Sequence, residues 1–249
     1  MNTSSRLRSS IRWMAAAAGL AAGAYATCVA VAWCRYGRAA PASTLKDADP
    51  LLDRFMPVYD VRERHHIHVA APAATTLAAA REMDLLESPV VRALIKAREL
   101  VLGAAPDTRS RPRGLLAEVQ ALGWGVLAEV SDHEIVVGAA TQPWKANVVF
   151  RAVPPDEFVA FDEPDYVKIV WTLRADPVGP DESMFTTETR VLSTDPVARG
   201  RFRRYWSFFS PGIILIRWVS LGPLKAEAER RARGTQVEPR RRASAGSHS

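Results

Sequence analysis

The first pattern along the chain is an absence of charge: from Trp13 to Cys34 there is no Asp, Glu, Lys or Arg. As a helix at about 1.5 Å per residue this run spans roughly 33 Å, enough for a hydrocarbon core of about 30 Å. Trp13 and Trp33 bracket it, and Arg12 and Arg35 stand just outside, as expected at two membrane interfaces. The pattern predicts a transmembrane helix over residues 13–34. Beyond it, Tyr59, Val61, Ile67 and Val69 alternate with Asp60, Arg62, His66 and His68, a period-2 strand with one apolar face. Pro72 opens a helix through Leu85, and Ser88-Pro89 opens another that Gly103 ends, with Val91, Leu94, Ile95 and Leu102 turned inward.

A loop from Ala104 to Gly114 and a short helix from Leu115 to Leu122 follow. Trp124–Val130 and Glu134–Ala139 flank Ser131-Asp132-His133 as a hairpin, and Asn147–Val153 reads as a further strand. Pro154-Pro155 begins a helical turn that buries Phe158 and Phe161. Val167, Ile169, Trp171 and Leu173 alternate cleanly with Lys168, Thr172 and Arg174, and Met184–Leu192 is another strand. Asp195-Pro196 then caps a long helix to Arg233. Its positions Phe202, Trp206, Phe209, Ile213, Ile216 and Leu224 recur near 3.6 residues and predict the face laid on the sheet. Phe208, Ile214, Leu215, Trp218 and Leu221 lie off that stripe and need separate cover, from the early helices or from a membrane. Pro211 is expected to kink or restart the helix.

The chain of 249 residues thus divides into a basic N-terminus (1–12), the membrane helix (13–34), a linker with a short Leu51–Phe55 turn (35–57), one domain (58–233) and a disordered basic tail (234–249). A cleaved signal is the alternative to a retained anchor, with Ala40-Pro41-Ala42 as the small-residue site. Flanking charge gives no orientation, because Arg6, Arg8 and Arg12 balance Arg35, Arg38 and Lys46. Gly19 and Gly23, in small-residue spacing, offer a homodimer contact.

Composition narrows the chemistry. The net charge of +6 is gathered at the two ends, beside the anchor and in the tail, which fits anionic lipid and not nucleic acid. The cysteines, Cys28 and Cys34, both sit in the apolar run, so the domain has no disulfide framework, cysteine nucleophile or cysteine-ligated zinc. His66 and His68 share a strand face but lack a third ligand, and with His65 they read as surface residues and not a metal site. The acidic Asp156–Asp165 stretch lacks calcium-loop spacing, and no phosphate loop, nucleophile elbow or dinucleotide fingerprint is present.

One early strand, a helical insert, a meander and a terminal helix make an α+β layout. The strand ending His68-Val69-Ala70-Ala71-Pro72, the helical pair after it, and Thr186-Thr187-Glu188-Thr189-Arg190-Val191 leading into Phe202-Arg203-Arg204-Tyr205-Trp206 carry a resemblance. Over about residues 58–233 the chain resembles the START-like helix-grip superfamily (SRPBCC), which includes polyketide cyclases, dehydrases and lipid-transport proteins. The resemblance implies a curved antiparallel sheet gripping the terminal helix, with an apolar cavity between them. It specifies fold and not chemistry. The role expected is binding or transfer of a lipid or other apolar small molecule at a membrane, without cofactor, metal or nucleic acid. Trp144, Trp171, Trp206 and Phe209 are the cavity candidates. The alternatives are a cyclase- or dehydratase-type enzyme with Glu188 as proton-transfer group, and an accessory protein of a membrane complex. Glu188, Arg190 and Thr186 share one strand face, which is either the cavity lining or a wetted ion-pair ladder.

Overall fold

A computed structural model describes residues 3–37, 48–105 and 112–245, with side chains from residue 12 to residue 235 of those ranges. Ala40–Ala42, Arg38, Lys46, and most of the 104–114 loop lie outside the described residues. The elements run α1 (Thr3–Arg35), α2 (Pro50–Phe55), β1 (Val61–Val69), α3 (Ala73–Glu82), a 3-10 turn (Leu85–Glu87) and α4 (Pro89–Leu102). They continue with α5 (Leu115–Ala121), β2 (Gly125–Val130), β3 (Glu134–Thr141), β4 (Phe150–Arg151), α6 (Pro155–Phe158), β5 (Val167–Gly179), β6 (Glu182–Ser193) and α7 (Pro196–Ala245).

The strands form one antiparallel sheet in the order β1-β6-β5-β3-β2, with β4 pairing β3. The terminal strand β6 therefore returns beside β1, and a helical insert separates the first strand from the meander. The concave face carries alternate residues, among them Val61, Ile67, Ile169, Trp171, Leu173, Phe185 and Val191. α7 lies along it and buries Phe202, Trp206, Leu221, Leu224 and Ala228. α3 and α5 close one end, adding Leu77, Ala80 and Leu115 to the largest apolar cluster. Ser88 caps α4 through its hydroxyl, and Gly103 ends it at φ 67, a left-handed turn that glycine adopts without a Cβ clash.

Several features differ from the sequence expectation, among them the strand read over Asn147–Val153, which forms only at Phe150–Arg151. α7 passes Pro211 as one helix and continues to Ala245, beyond Gly234, in a segment rich in arginine and alanine, both good helix formers. The stretch before the first strand is more than linker: α2 buries Leu52, Phe55 and Met56 on the convex face of the sheet, against Val136, Val170 and Phe158. Apolar residues thus cover both faces, which explains why β3 is buried at every position.

α2 also brings a carboxylate pair together. Asp49 caps α2, accepting from the Leu52 amide at 2.9 Å, and its side chain meets Glu134. Glu134 is buried and accepts from the Thr172 hydroxyl at 2.7 Å. Burial first, then the Asp49 carboxylate, push its pKa up to about 8. The folded protein thus holds a proton that the unfolded chain releases near 4.5. That stabilisation is complete below about pH 4.5 and is lost as pH rises towards about 8. The unfolding midpoint of the wild type should fall across this window, and Glu134→Gln should flatten the fall. Denaturant titrations at the two ends of the window check it.

Two helices are long and apolar enough to cross a membrane, Arg12–Arg35 and Pro196–Thr235. The second lies on the sheet. In the first, every residue from Arg12 to Cys28 is exposed, and atoms placed on Gly19 or Gly23 would meet nothing within 4 Å. The C-terminal part of α1, from Tyr25 to Trp33, touches the domain. There Arg203 lies 4.0 Å over the Trp33 ring and donates to the Trp33 carbonyl at 2.9 Å.

Candidate functional site

An inner cavity of about 240 Å³ lies between the concave face of the sheet and α7. Its walls are mostly apolar: Met83 and Leu85 after α3, Leu115 and Val119 of α5, Trp124, Leu173, Phe185, Leu221 and Leu224. Polar groups gather at one place. Arg217 of α7 lies 4.9 Å over the Trp171 ring and donates to the Thr189 hydroxyl at 2.7 Å and the Thr187 hydroxyl at 3.3 Å. Trp171 Nε1 also donates to the Thr187 oxygen, at 2.6 Å. With both lone pairs of that oxygen taken, the Thr187 hydroxyl proton is left to donate onward. Desolvation lowers the Arg217 pKa to about 10, with Glu63 opposing, so the guanidinium stays charged at neutral pH.

A second, larger space of about 1030 Å³ opens between the end of α1, the start of β1 and α7. Thr27, Cys28, Val31 and Ala32 form one wall; Trp206, Ser210, Pro211, Ile214, Leu215 and Trp218 form the other. Arg35, Asp60 and Glu63 line it as well.

Glu63 and His65 stand on the strip of sheet between the two spaces. In the β1–β6 register Glu63 faces Thr189 and His65 faces Thr187, the two hydroxyls that hold Arg217. Burial raises the Glu63 pKa, against the charges of Arg217 and Arg35. His65 is buried, with its ring 5.8 Å edge-on to Trp218 and its Nε2 lacking a hydrogen-bond partner. Desolvation, then Arg217 and His66, lower its pKa, so the imidazole is neutral at pH 7. Glu63, His65, Thr187, Thr189 and Arg217 thus make a polar strip between the two spaces.

The residues singled out from sequence separate. Trp171 lines the inner cavity and Trp206 the outer groove. Trp144 packs on the cluster around Phe202 and Trp206, its indole nitrogen buried without a partner. Phe209 packs its ring at a tilt against Tyr205 at 4.9 Å and meets Phe208 at 5.0 Å, and lines neither space. Glu188 is on the convex face, and that face is buried there, not wetted. It takes two hydrogen bonds from Arg62, at 2.7 and 2.9 Å, and one from Arg190 at 2.7 Å. Arg190 in turn donates to Asp53 and to the Met56 carbonyl, and lies over the Tyr59 ring. This clasp ties α2 to β1 and β6; Glu188 and Arg190 line neither space, while Arg62 and Tyr59 also border the outer one.

His66 and His68 are exposed, whereas His65 is inside. The signal for this was strict alternation: Val61, Glu63, His65 and Ile67 share one parity, so the two polar residues belong to the apolar face. Arg217 was legible too, four residues after Ile213 on the stripe. Among the described residues no cluster of His, Cys, Asp or Glu has the makings of a metal site.

A terminal helix gripped by an antiparallel sheet, with the last strand paired to the first and a helical insert between them, decides the fold. It is START-like. No family model matches the chain, and no curated protein does. Solved structures similar to it include a hypothetical protein from Helicobacter pylori, at 10% identity and TM-score 0.39 over 75% of this chain and 99% of that one. A Thalictrum norcoclaurine synthase point mutant matches at 11% identity and TM-score 0.33, over 71% and 96% of the two chains. A START superfamily protein from Mycobacterium smegmatis matches at 13% identity and TM-score 0.24, over 70% and 98%. The START-like assignment rests on the strand order and the gripped helix.

Proposed function

We propose that this START-like chain is a membrane-anchored binder or carrier of an apolar small molecule of lipid class. The observation that carries the reading is the inner cavity: apolar walls with Arg217 and the Thr187 hydroxyl at one place. Apolar walls supply most of the binding energy, about 25 cal/mol per Å² removed from water. The few polar groups fix orientation, and a cation beside a donor hydroxyl suits a carboxylate or another anionic head. At about 240 Å³ the cavity is near the small end for ligand sites, which favours one short apolar body over a whole two-chain lipid.

The anchor in this reading is α1. Its exposed apolar residues from Trp13 to Cys28 need cover, and the length of the uncharged run matches a hydrocarbon core. The enzyme alternative needs a proton-transfer group facing the ligand, and Glu188, held by Arg62 and Arg190 on the other face, supplies none. Native mass spectrometry of the full-length protein released from detergent should show a population carrying one co-purified small apolar molecule. Leu221→Trp, which fills the cavity, should reduce that population several-fold. A bare protein mass in every preparation counts against the reading.

A further inference from the structure

The outer groove is built partly from residues of the uncharged span. Thr27, Cys28, Val31 and Ala32 of α1 form one wall. Counted from Arg35 at about 1.5 Å per residue, that wall reaches about 12 Å inside the span. Tyr25, deeper still, sets its ring edge-on to Phe208 of α7 and donates its hydroxyl proton to the Phe208 carbonyl. The α7 wall continues through Ile214, Leu215 and Trp218. On this side Phe208, Leu215 and Trp218 are 43%, 44% and 63% exposed, three large apolar groups on the helix that the sheet otherwise covers. An apolar patch of this kind facing water is unfavourable. At the depth of Tyr25, Phe208 faces acyl chains instead. The charged lining residues Arg35, Asp60 and Glu63 gather where the span ends, the level of lipid headgroups.

We propose that the groove between α1 and α7 is a lateral portal that admits the acyl chain of a membrane lipid from the bilayer. This rests on the reading of α1 as a membrane span. The volume, about 1030 Å³, is at the upper end for ligand sites and gives room that the inner cavity lacks. Glu63 lines the portal and feels the charge of Arg217 in the inner cavity, so the polar strip of Glu63, His65 and Arg217 is the boundary between them. A chain in the portal lies against Trp206 and Ile214 while its headgroup stays near Arg35.

The test uses full-length protein in phosphatidylcholine vesicles that contain a phosphatidylcholine with a diazirine on its acyl chain. After photolysis, adducts are mapped by peptide mass spectrometry. The portal predicts adducts on both walls, on α1 from Thr27 to Ala32 and on α7 from Ser210 to Trp218. Ile214→Trp, which fills the groove, should reduce labelling of these walls several-fold and leave labelling of Ala16–Leu20 unchanged. Ala32→Phe, which narrows it from the other wall, should do the same. Adducts on α1 with the α7 wall unlabelled would overturn the portal and leave the anchor standing. So would labelling of both walls that neither variant reduces. Absence of adducts, together with release of the protein by alkaline carbonate, would remove the anchor reading and the portal with it.

Discussion

Replacing Glu188 by glutamine should destabilise the protein by about 3–5 kcal/mol, the usual cost of removing one partner from a buried ion pair. The carboxylate is 1% exposed and is the shared acceptor for Arg62 and Arg190, whose side chains are 11% and 3% exposed. Glutamine keeps the shape but not the charge, so two guanidinium groups lose the anion that balances them. Arg190 retains Asp53, at 2.6 Å, but that carboxylate is 46% exposed and compensates only partly. The loss should appear as a lower denaturant midpoint for the full-length protein in detergent, followed by tryptophan fluorescence. An unchanged midpoint would mean that the clasp is replaceable and that α2 is not held by it.

Trp171→Ala should cost about as much, roughly 3–5 kcal/mol, for a different reason. Trp171 is 6% exposed at the centre of the concave face, and its truncation removes apolar contacts from the largest cluster. It also removes the donor to Thr187 and the ring beneath Arg217, leaving that charge over a void. Trp171→Phe keeps the apolar bulk and most of the ring face and should recover more than half of the loss. Equal destabilisation by the two variants would show that the indole hydrogen bond outweighs the packing.

The strands, the helical insert and the gripped helix were legible because each has a period that burial on one side enforces. β5 is the clearest case, since Val167, Ile169, Trp171 and Leu173 alternate in sequence and share one face of the sheet, although Lys168, Val170 and Thr172 are buried on the other. What eluded the sequence depends on which residues meet across distance. Glu188 and Arg190 share a face with the adjacent strand's Arg62 and Arg64, and polarity alone marks that face as wet. It is dry because Leu52, Phe55 and Met56 arrive from a segment with no strong pattern of its own. Glu63 and His65 were hidden by the opposite effect. Their polarity overrode the parity that places them beside Val61 and Ile67 on the inner face. The length of α1 was evident, but its contact with α7 was not, because Tyr25–Phe208 and Trp33–Arg203 pair residues far apart in the chain.

The central claim is that Arg217 receives the polar head of an apolar ligand in the inner cavity. Displacement of a fluorescent fatty-acid probe from the full-length protein tests it, using a medium-chain fatty acid and its methyl ester as competitors. Wild type should bind the acid at least tenfold more tightly than the ester. Arg217→Met should bring the two together by weakening the acid alone, with circular dichroism showing the variant folded. Equal affinities for acid and ester in the wild type, or a preference for the acid that survives Arg217→Met, would contradict the account.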